Sequence, residues 1–183
     1  MVDRIRVAGV VGSRRSGSYT RTAVNHALTS VEDSDVTTDL IDLGDPTIEM
    51  PLYHPDQDVE RAGDVADLLA RMRKADGAIL GSPVYHNSYS STWRNFHDYC
   101  SFDEFEDTAV GLVCVAGGGS FGSTLEHMRS TVRGVHGWTV PRQVGIRSAS
   151  SKIENGVVTD EDIADRLANL AEQVLAHSRR LND

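Results

Sequence analysis

An α/β fold is what this 183-residue sequence predicts: a five-stranded parallel sheet of order 2-1-3-4-5 with helices on both faces, a three-layer sandwich. Three observations carry the prediction. Short β-branched runs alternate five times with stretches whose apolar residues recur at helical spacing. Several of those runs are continuously apolar, as strands buried on both faces must be. The segments leaving the first, third and fourth runs concentrate Gly, Ser, Pro and aromatic residues, and in a doubly wound sheet of this order those loops meet at one crevice at the strands' carboxyl ends. Residues 1–183 suit one core and are short for two, so a single domain is expected.

The first strand is the run ending Val7-Ala8-Gly9-Val10-Val11, after which Gly12 to Thr20 is rich in Ser, Gly and Arg. Arg21 to Ser30 places Ala23, Ala27 and Leu28 on one helical face, and Val36 to Leu43 reads as the second strand. Gly44 to Asp58 contains Pro46, Pro51 and Pro55 and should run irregularly over the surface, with Tyr53 and His54 as candidates for bordering a ligand. Val59 to Lys74 is expected as one helix, with Val65, Leu68, Leu69 and Met72 inward and Arg71, Arg73 and Lys74 toward its negative end. Asp76 to Pro83 is the third strand, and Ser90 to Tyr99 a helix with Trp93, Phe96 and His97 at helical spacing. Thr108 to Ala116 is the fourth strand, stopped by Gly117-Gly118-Gly119; Thr124 to Val135 is helical and Trp138 to Ile146 is the last strand. Ser148 to Asn155 reads as loop, and Thr159 to Arg180 as an amphipathic helix carrying Ile163, Leu167, Leu170, Val174 and Leu175, capped by Thr159 with Asp162 three residues on.

Composition narrows the function classes. Acids outnumber bases 27 to 18, a net charge of −9, which argues against a nucleic-acid surface. Lys74 and Lys152 are the only lysines among those 18 bases, and an acidic, lysine-poor surface suits a salt-adapted source. Cys100 and Cys114 fit no redox or metal spacing and read as buried thiols, and the seven histidines show no ligand spacing, so no metal is expected. Lacking any apolar run of about 18 residues, the chain is expected to be cytoplasmic and without a membrane partner.

The Gly12 to Thr20 loop is a candidate anion site. A helix start leaves backbone N–H groups without intrahelical partners, the helix dipole adds positive charge, and Ser13, Ser18 and Thr20 add hydroxyls beside Arg14 or Arg15. Neither the Gly-Lys-Ser/Thr of a nucleoside-triphosphate loop nor Gly-x-Gly-x-x-Gly is present, which favours a monophosphate. The competing reading is an ordinary turn with a Ser helix cap.

Taken together, three stretches resemble the NADPH-dependent FMN reductase family, which has a flavodoxin-like fold. Gly12-Ser13-Arg14-Arg15-Ser16-Gly17-Ser18-Tyr19-Thr20 is similar to its phosphate loop, Gly-Ser-x-Arg-x-x-Ser-x-Asn/Thr. Ser82-Pro83-Val84-Tyr85-His86-Asn87-Ser88, followed by Trp93-Arg94-Asn95-Phe96-His97-Asp98, resembles its Thr/Ser-Pro-Glu-Tyr-Asn-Gly-Ser segment and the helix after it. Gly117-Gly118-Gly119-Ser120-Phe121-Gly122 resembles its Gly-Gly-x-x-Gly loop. The resemblance implies that Ser13, Arg15, Ser18, Tyr19 (through its backbone) and Thr20 hold the FMN phosphate. It also implies that Pro83, Val84, Tyr85, His86 and Asn87 run along the isoalloxazine, flanked from the other side by Gly117, Gly118, Gly119 and Ser120. Val84 replaces the family's Glu, His86-Asn87 its Asn-Gly, and Ser91 its later Gly. The implied activity is a ping-pong transfer of hydride from NADPH or NADH through FMN to a flavin, quinone or azo acceptor, with no catalytic side chain. A homodimer or homotetramer is implied too, with an exposed Trp93 helix suiting the contact.

Two rival readings share these residues. Gly118-Gly119-Ser120-Phe121-Gly122 also fits Gly-x-Ser-x-Gly, the nucleophile elbow of hydrolases, with Asp160 or Asp165 and His177 as partners for Ser120. A flavodoxin-like electron carrier without NAD(P)H turnover is the other.

Overall fold

Strands apolar on both faces must be covered on both, and the computed structural model, which describes residues 4–33 and 35–182, shows how. Strands β1 (Ile5–Val11), β2 (Val36–Asp42), β3 (Gly77–Pro83), β4 (Ala109–Val115) and β5 (Trp138–Ile146) form a parallel sheet of order β2-β1-β3-β4-β5. Between them run α1 (Tyr19–Thr29), α2 (Val65–Arg73), α3 (Ser91–Tyr99) and α4 (Gly122–Gly134), and α5 (Glu161–Leu181) follows. Alternation along the strands divides the core in two. Val7, Val11, Ile79, Ala109 and Val113 face α1 and α5, while Ala8, Val10, Ala78, Leu80, Val110 and Leu112 face α2, α3 and α4.

The predicted sheet order is therefore the observed one. Four local expectations are corrected. The helix expected over Val59 to Lys74 is interrupted: a 3₁₀ turn at Val59–Arg61 is followed by Gly63 at φ 62°, and only then does α2 begin. The break is held by the preceding irregular segment, where Asp64 N–H donates to the Glu49 carbonyl (2.8 Å) and Glu49 N–H to the Asp64 carboxylate (2.7 Å). Part of the loop expected over Ser148 to Asn155 is ordered, as a 3₁₀ turn at Ala149–Ser151 and a hairpin of β6 (Ile153–Glu154) and β7 (Val157–Val158). Its turn residues, Asn155 (φ 48°) and Gly156 (φ 78°), form the Asn-Gly pair that favours a two-residue hairpin. The cap of α5 is Asp160, not Thr159: its carboxylate accepts from Ile163 N–H at 3.0 Å. Finally, Trp93 is 1 % exposed and belongs to the core beneath α3, so it offers no exposed contact for a second subunit.

Strand β5 shows why an edge position tolerates Pro141. Its register with β4 slips between Val110↔Thr139 and Leu112↔Gln143, a bulge that places the residue lacking an N–H where no ladder bond is required. Among the described residues no helix is long and apolar enough to cross a membrane.

Candidate functional site

The chain leaves β1 at Gly12, whose N–H still donates to the Gly81 carbonyl at the end of β3 (2.8 Å). From there to α1 the backbone donates to none of the described residues. Among the described residues no N–H of residues 13–20 has an acceptor, and Ser18 caps α1 by accepting from Arg21 N–H at 3.1 Å. Ser13 and Thr20 are only 4 % and 2 % exposed, yet their hydroxyls make no hydrogen bond to any described residue. Eight amides and two hydroxyls without a partner among the described residues thus fall in one loop at the positive end of a helix. The arginines divide their work: Arg21 pairs with Asp42 at the end of β2, whereas Arg14 and Arg15 make no ion pair among the described residues. The Arg15 guanidinium carbon lies 5.8 Å from the Tyr19 ring centroid.

The loop is braced from below. Ser90, the N-cap of α3, accepts from Trp93 N–H (3.0 Å) and donates its hydroxyl to the Gly12 carbonyl, and its own N–H reaches the Ser82 hydroxyl (2.9 Å). Gly12 itself packs so closely on Trp93 that a Cβ there would sit 2.5 Å from the Trp93 Cβ. Ser82 opens the segment that carries the family resemblance but was assigned no role there, and Ser90 carries only the signal of a Ser directly before a helix.

At the end of β3, Val84 N–H donates to the Val115 carbonyl (2.9 Å), and Tyr85 and Ser88 exchange both backbone hydrogen bonds (2.9 and 3.0 Å) around His86 and Asn87. Both central residues are left-handed, φ 50° and 62°, the geometry of a two-residue type I′ turn. Asn-Gly is the pair that turn favours, so His86-Asn87 keeps the shape of the resembled segment while changing its side chains. The turn is fixed to α4, where Ser123 donates to the Asn87 carbonyl (2.9 Å) and Ser88 Oγ lies 3.0 Å from His127 Nδ1. Tyr85 is left 54 % exposed.

The third loop leaves β4 with Ala116 N–H bonded to the Ile146 carbonyl (2.8 Å). A Cβ placed on Gly117, Gly118 or Gly119 would meet nothing within 4 Å, so this backbone borders open space. Gly119 has φ 68°, which a side chain would strain, and its carbonyl accepts from Arg147 Nε at 2.7 Å. Ser120 Oγ accepts from Gly122 N–H at 3.4 Å. Phe121 lies flat against Gly145, where a Cβ would come within 2.1 Å of its ring.

The three loops expected to form the site therefore lie at the carboxyl ends of β1, β3 and β4, three strands adjacent in the sheet, whereas Tyr53 and His54 follow β2. Tyr53 is joined to α3 instead: its N–H donates to Asn95 Oδ1 (2.8 Å) and its ring meets Tyr99 edge-on at 5.1 Å. The thiols take no part. Both are buried, which raises Cys100 well above the ordinary thiol range and Cys114 to about 12. The set fits FMN: donors without acceptors where a phosphate needs them, and side-chain-free backbone beside open space where a flat ring needs room.

Comparison with known proteins agrees with that reading. The chain is 29 % identical over 178 residues to an FMN-dependent NADPH-azoreductase of Staphylococcus saprophyticus, covering 91 % of this chain and 92 % of that protein. It is 37 % identical over 97 residues to an NADPH azoreductase of Bacillus sp. strain OY1-2, covering 52 % and 54 %. Among solved structures it superimposes on FerB, a flavoenzyme NAD(P)H:(acceptor) oxidoreductase from Paracoccus denitrificans, with a TM-score of 0.76 at 19 % identity over 97 % of each chain. It also matches a WrbA-like flavodoxin protein from Agrobacterium tumefaciens with a TM-score of 0.65 at 13 % identity, over 96 % and 98 % of the two chains. Both structures share the flavodoxin-like fold. The family model for NADPH-dependent FMN reductases matches residues 5–151, spanning all three loops, and the chain belongs to that family.

Proposed function

We propose that the protein is an FMN-dependent NAD(P)H oxidoreductase that reduces a small-molecule acceptor of the flavin, quinone or azo class. The observation that carries this reading is the loop of residues 13–20, with eight amides and the Ser13 and Thr20 hydroxyls lacking partners among the described residues at the start of α1. Those groups hold the phosphate, and Arg15, free of carboxylates and braced on Tyr19, neutralises it. The backbone from Pro83 to Asn87 lines one edge of the ring and Gly117 to Ser120 the other. Bound there, FMN supplies a centre that takes up a hydride and passes on two electrons, and the chain needs no acid or base of its own for this. What the chain contributes is orientation. On this reading donor and acceptor reach the ring in turn, a ping-pong cycle, with Tyr85 half-exposed beside the segment that lines it.

The test is an absorbance spectrum of the purified protein, recorded before and after anaerobic NADPH and NADH. A yellow protein that bleaches rapidly supports the reading. A yellow protein that does not bleach indicates an electron carrier, and a colourless one that takes up no added FMN overturns flavin binding altogether.

A further inference from the structure

Ser82 and Ser90 are buried, eight residues apart, and between them they link the ends of three strands. The Ser90 hydroxyl donates to the Gly12 carbonyl just past β1. That carbonyl shares its peptide unit with the Ser13 N–H, the first of the amides in the loop without a partner among the described residues. The Ser90 N–H donates to the Ser82 hydroxyl (2.9 Å), which donates in turn to the Pro83 carbonyl at the end of β3 (2.8 Å). Pro83 shares its peptide unit with the Val84 N–H, which donates to the Val115 carbonyl at the end of β4 (2.9 Å). An unbroken series of hydrogen bonds thus runs from the loop of residues 13–20 to the segment from Pro83 to Asn87. Bonds in such a series polarise one another where solvent is excluded: an anion accepting from the Ser13 N–H makes the Gly12 carbonyl a better acceptor for Ser90, and the reinforcement passes on to Ser82 and Pro83. Helix α3 moves with the series, since Ser90 also caps it through the Trp93 N–H (3.0 Å) and Trp93 packs against Gly12.

We propose that Ser82 and Ser90 are positioning residues that couple the two halves of the flavin site, so that an anion in the loop after β1 tightens the hold of the β3 segment on the ring. The inference rests on the FMN reading above and adds to it a cooperativity between subsites. Linkage makes the coupling reciprocal: a ring held at β3 raises the affinity of the β1 loop for phosphate by the same factor. Each serine has a separate part. Ser90 supplies the proton that reaches Gly12, and Ser82 orients Ser90 by accepting from its N–H while tying that acceptor to Pro83. The cap of α3 needs only the Ser90 oxygen as an acceptor, so capping and coupling are separable functions of one hydroxyl.

The experiment fills the two subsites with separate probes: inorganic phosphate for the β1 loop, and riboflavin, which lacks the phosphate, for the ring segment. Riboflavin is titrated into the full chain freed of flavin, by fluorescence quenching, with phosphate or with potassium chloride at the same ionic strength. In the wild type phosphate is expected to tighten riboflavin about fivefold. Ser82→Ala, which leaves the cap of α3 in place, and Ser90→Gly, a replacement that a helix cap tolerates, should each abolish that effect, and the double variant should lose no more, because the two act in series. Ser90→Thr keeps the hydroxyl and should restore the effect. Melting temperatures report whether each variant is folded. A merely structural role would weaken riboflavin equally with and without phosphate and leave the fivefold ratio intact, which overturns the proposal. An absent phosphate effect in the wild type overturns it as well, with no variant required. Riboflavin and FMN both bound, yet indifferent to phosphate, remove the coupling alone; a chain that binds neither flavin removes the FMN reading and the coupling with it.

Discussion

Ser13 and Ser18 are five residues apart and both buried, yet their hydroxyls serve different ends. Ser18 completes α1 by accepting from Arg21, whereas the Ser13 hydroxyl bonds none of the described residues. Ser18→Ala should therefore cost about 1 kcal/mol of stability, read as a lower urea midpoint. Ser13→Ala should leave that midpoint in place and weaken FMN binding roughly tenfold to a hundredfold, as loss of a hydrogen bond to a charged group does, measured by flavin fluorescence titration. Equal effects of the two changes on stability would contradict this division. His97 is a second residue whose environment makes a measurable claim. It lies between Trp93 (5.0 Å between ring centroids) and Phe105 (5.6 Å), and its Nε2 is buried without a partner. Burial, and then the nearby Arg94 charge, hold it down at about 4 against an ordinary 6.5. The unfolded chain therefore takes up the proton first as pH falls, so stability is full above the unfolded value and declines between about 6.5 and 4, by about 3 kcal/mol in all. In His97→Phe that part of the slope should disappear, as seen by denaturant unfolding at a series of pH values.

The elements were legible to different degrees, for identifiable reasons. Trp138 to Ile146 has the same bounds in sequence and structure, with Gly137 marking its start and the buried Val144 and Ile146 its end. The break before α2 was not legible, since it depends on hydrogen bonds between Asp64 and Glu49, fifteen residues apart. The β6–β7 hairpin could have been found from Asn155-Gly156 alone. Helix α1 shows how an element's fit positions the site. Its Val24 and Thr20 press on β3 at Gly81, where a Cβ would come within 2.4 Å of the Val24 side chain. Gly81→Val is expected to cost about 1–3 kcal/mol by overpacking and to weaken FMN binding as well, because lifting α1 tilts the loop that precedes it. Thermal melts of apo and FMN-loaded protein would show both effects; a variant with normal FMN affinity would refute the second.

At the scale of the whole molecule, strand order was inferable because three unusual loops had to share one crevice, and 2-1-3-4-5 brings them there. The meeting of Arg147, Lys152 and Arg166 around one cavity was not, because the three share no motif and come together only through the turn after β5 and the placement of α5. Net charge is a whole-molecule property as well. With −9 on 183 residues, self-repulsion opposes compaction, and added potassium chloride should raise the melting temperature between low ionic strength and about 1 M, where the Debye length is near 3 Å. A melting temperature that falls over that range would show the ion pairs, such as Arg71 with Asp39 at 2.6 Å, to outweigh the repulsion. The close seating of Trp93 against Gly12 has an optical consequence at this scale. The sequence contains two indoles: Trp93, shielded under the first loop, and Trp138, 60 % exposed at the other end of the sheet. Trp138→Phe would leave a single emitter of short-wavelength light next to the cradle, turning the protein's own fluorescence into a gauge of cofactor loading that requires no dye.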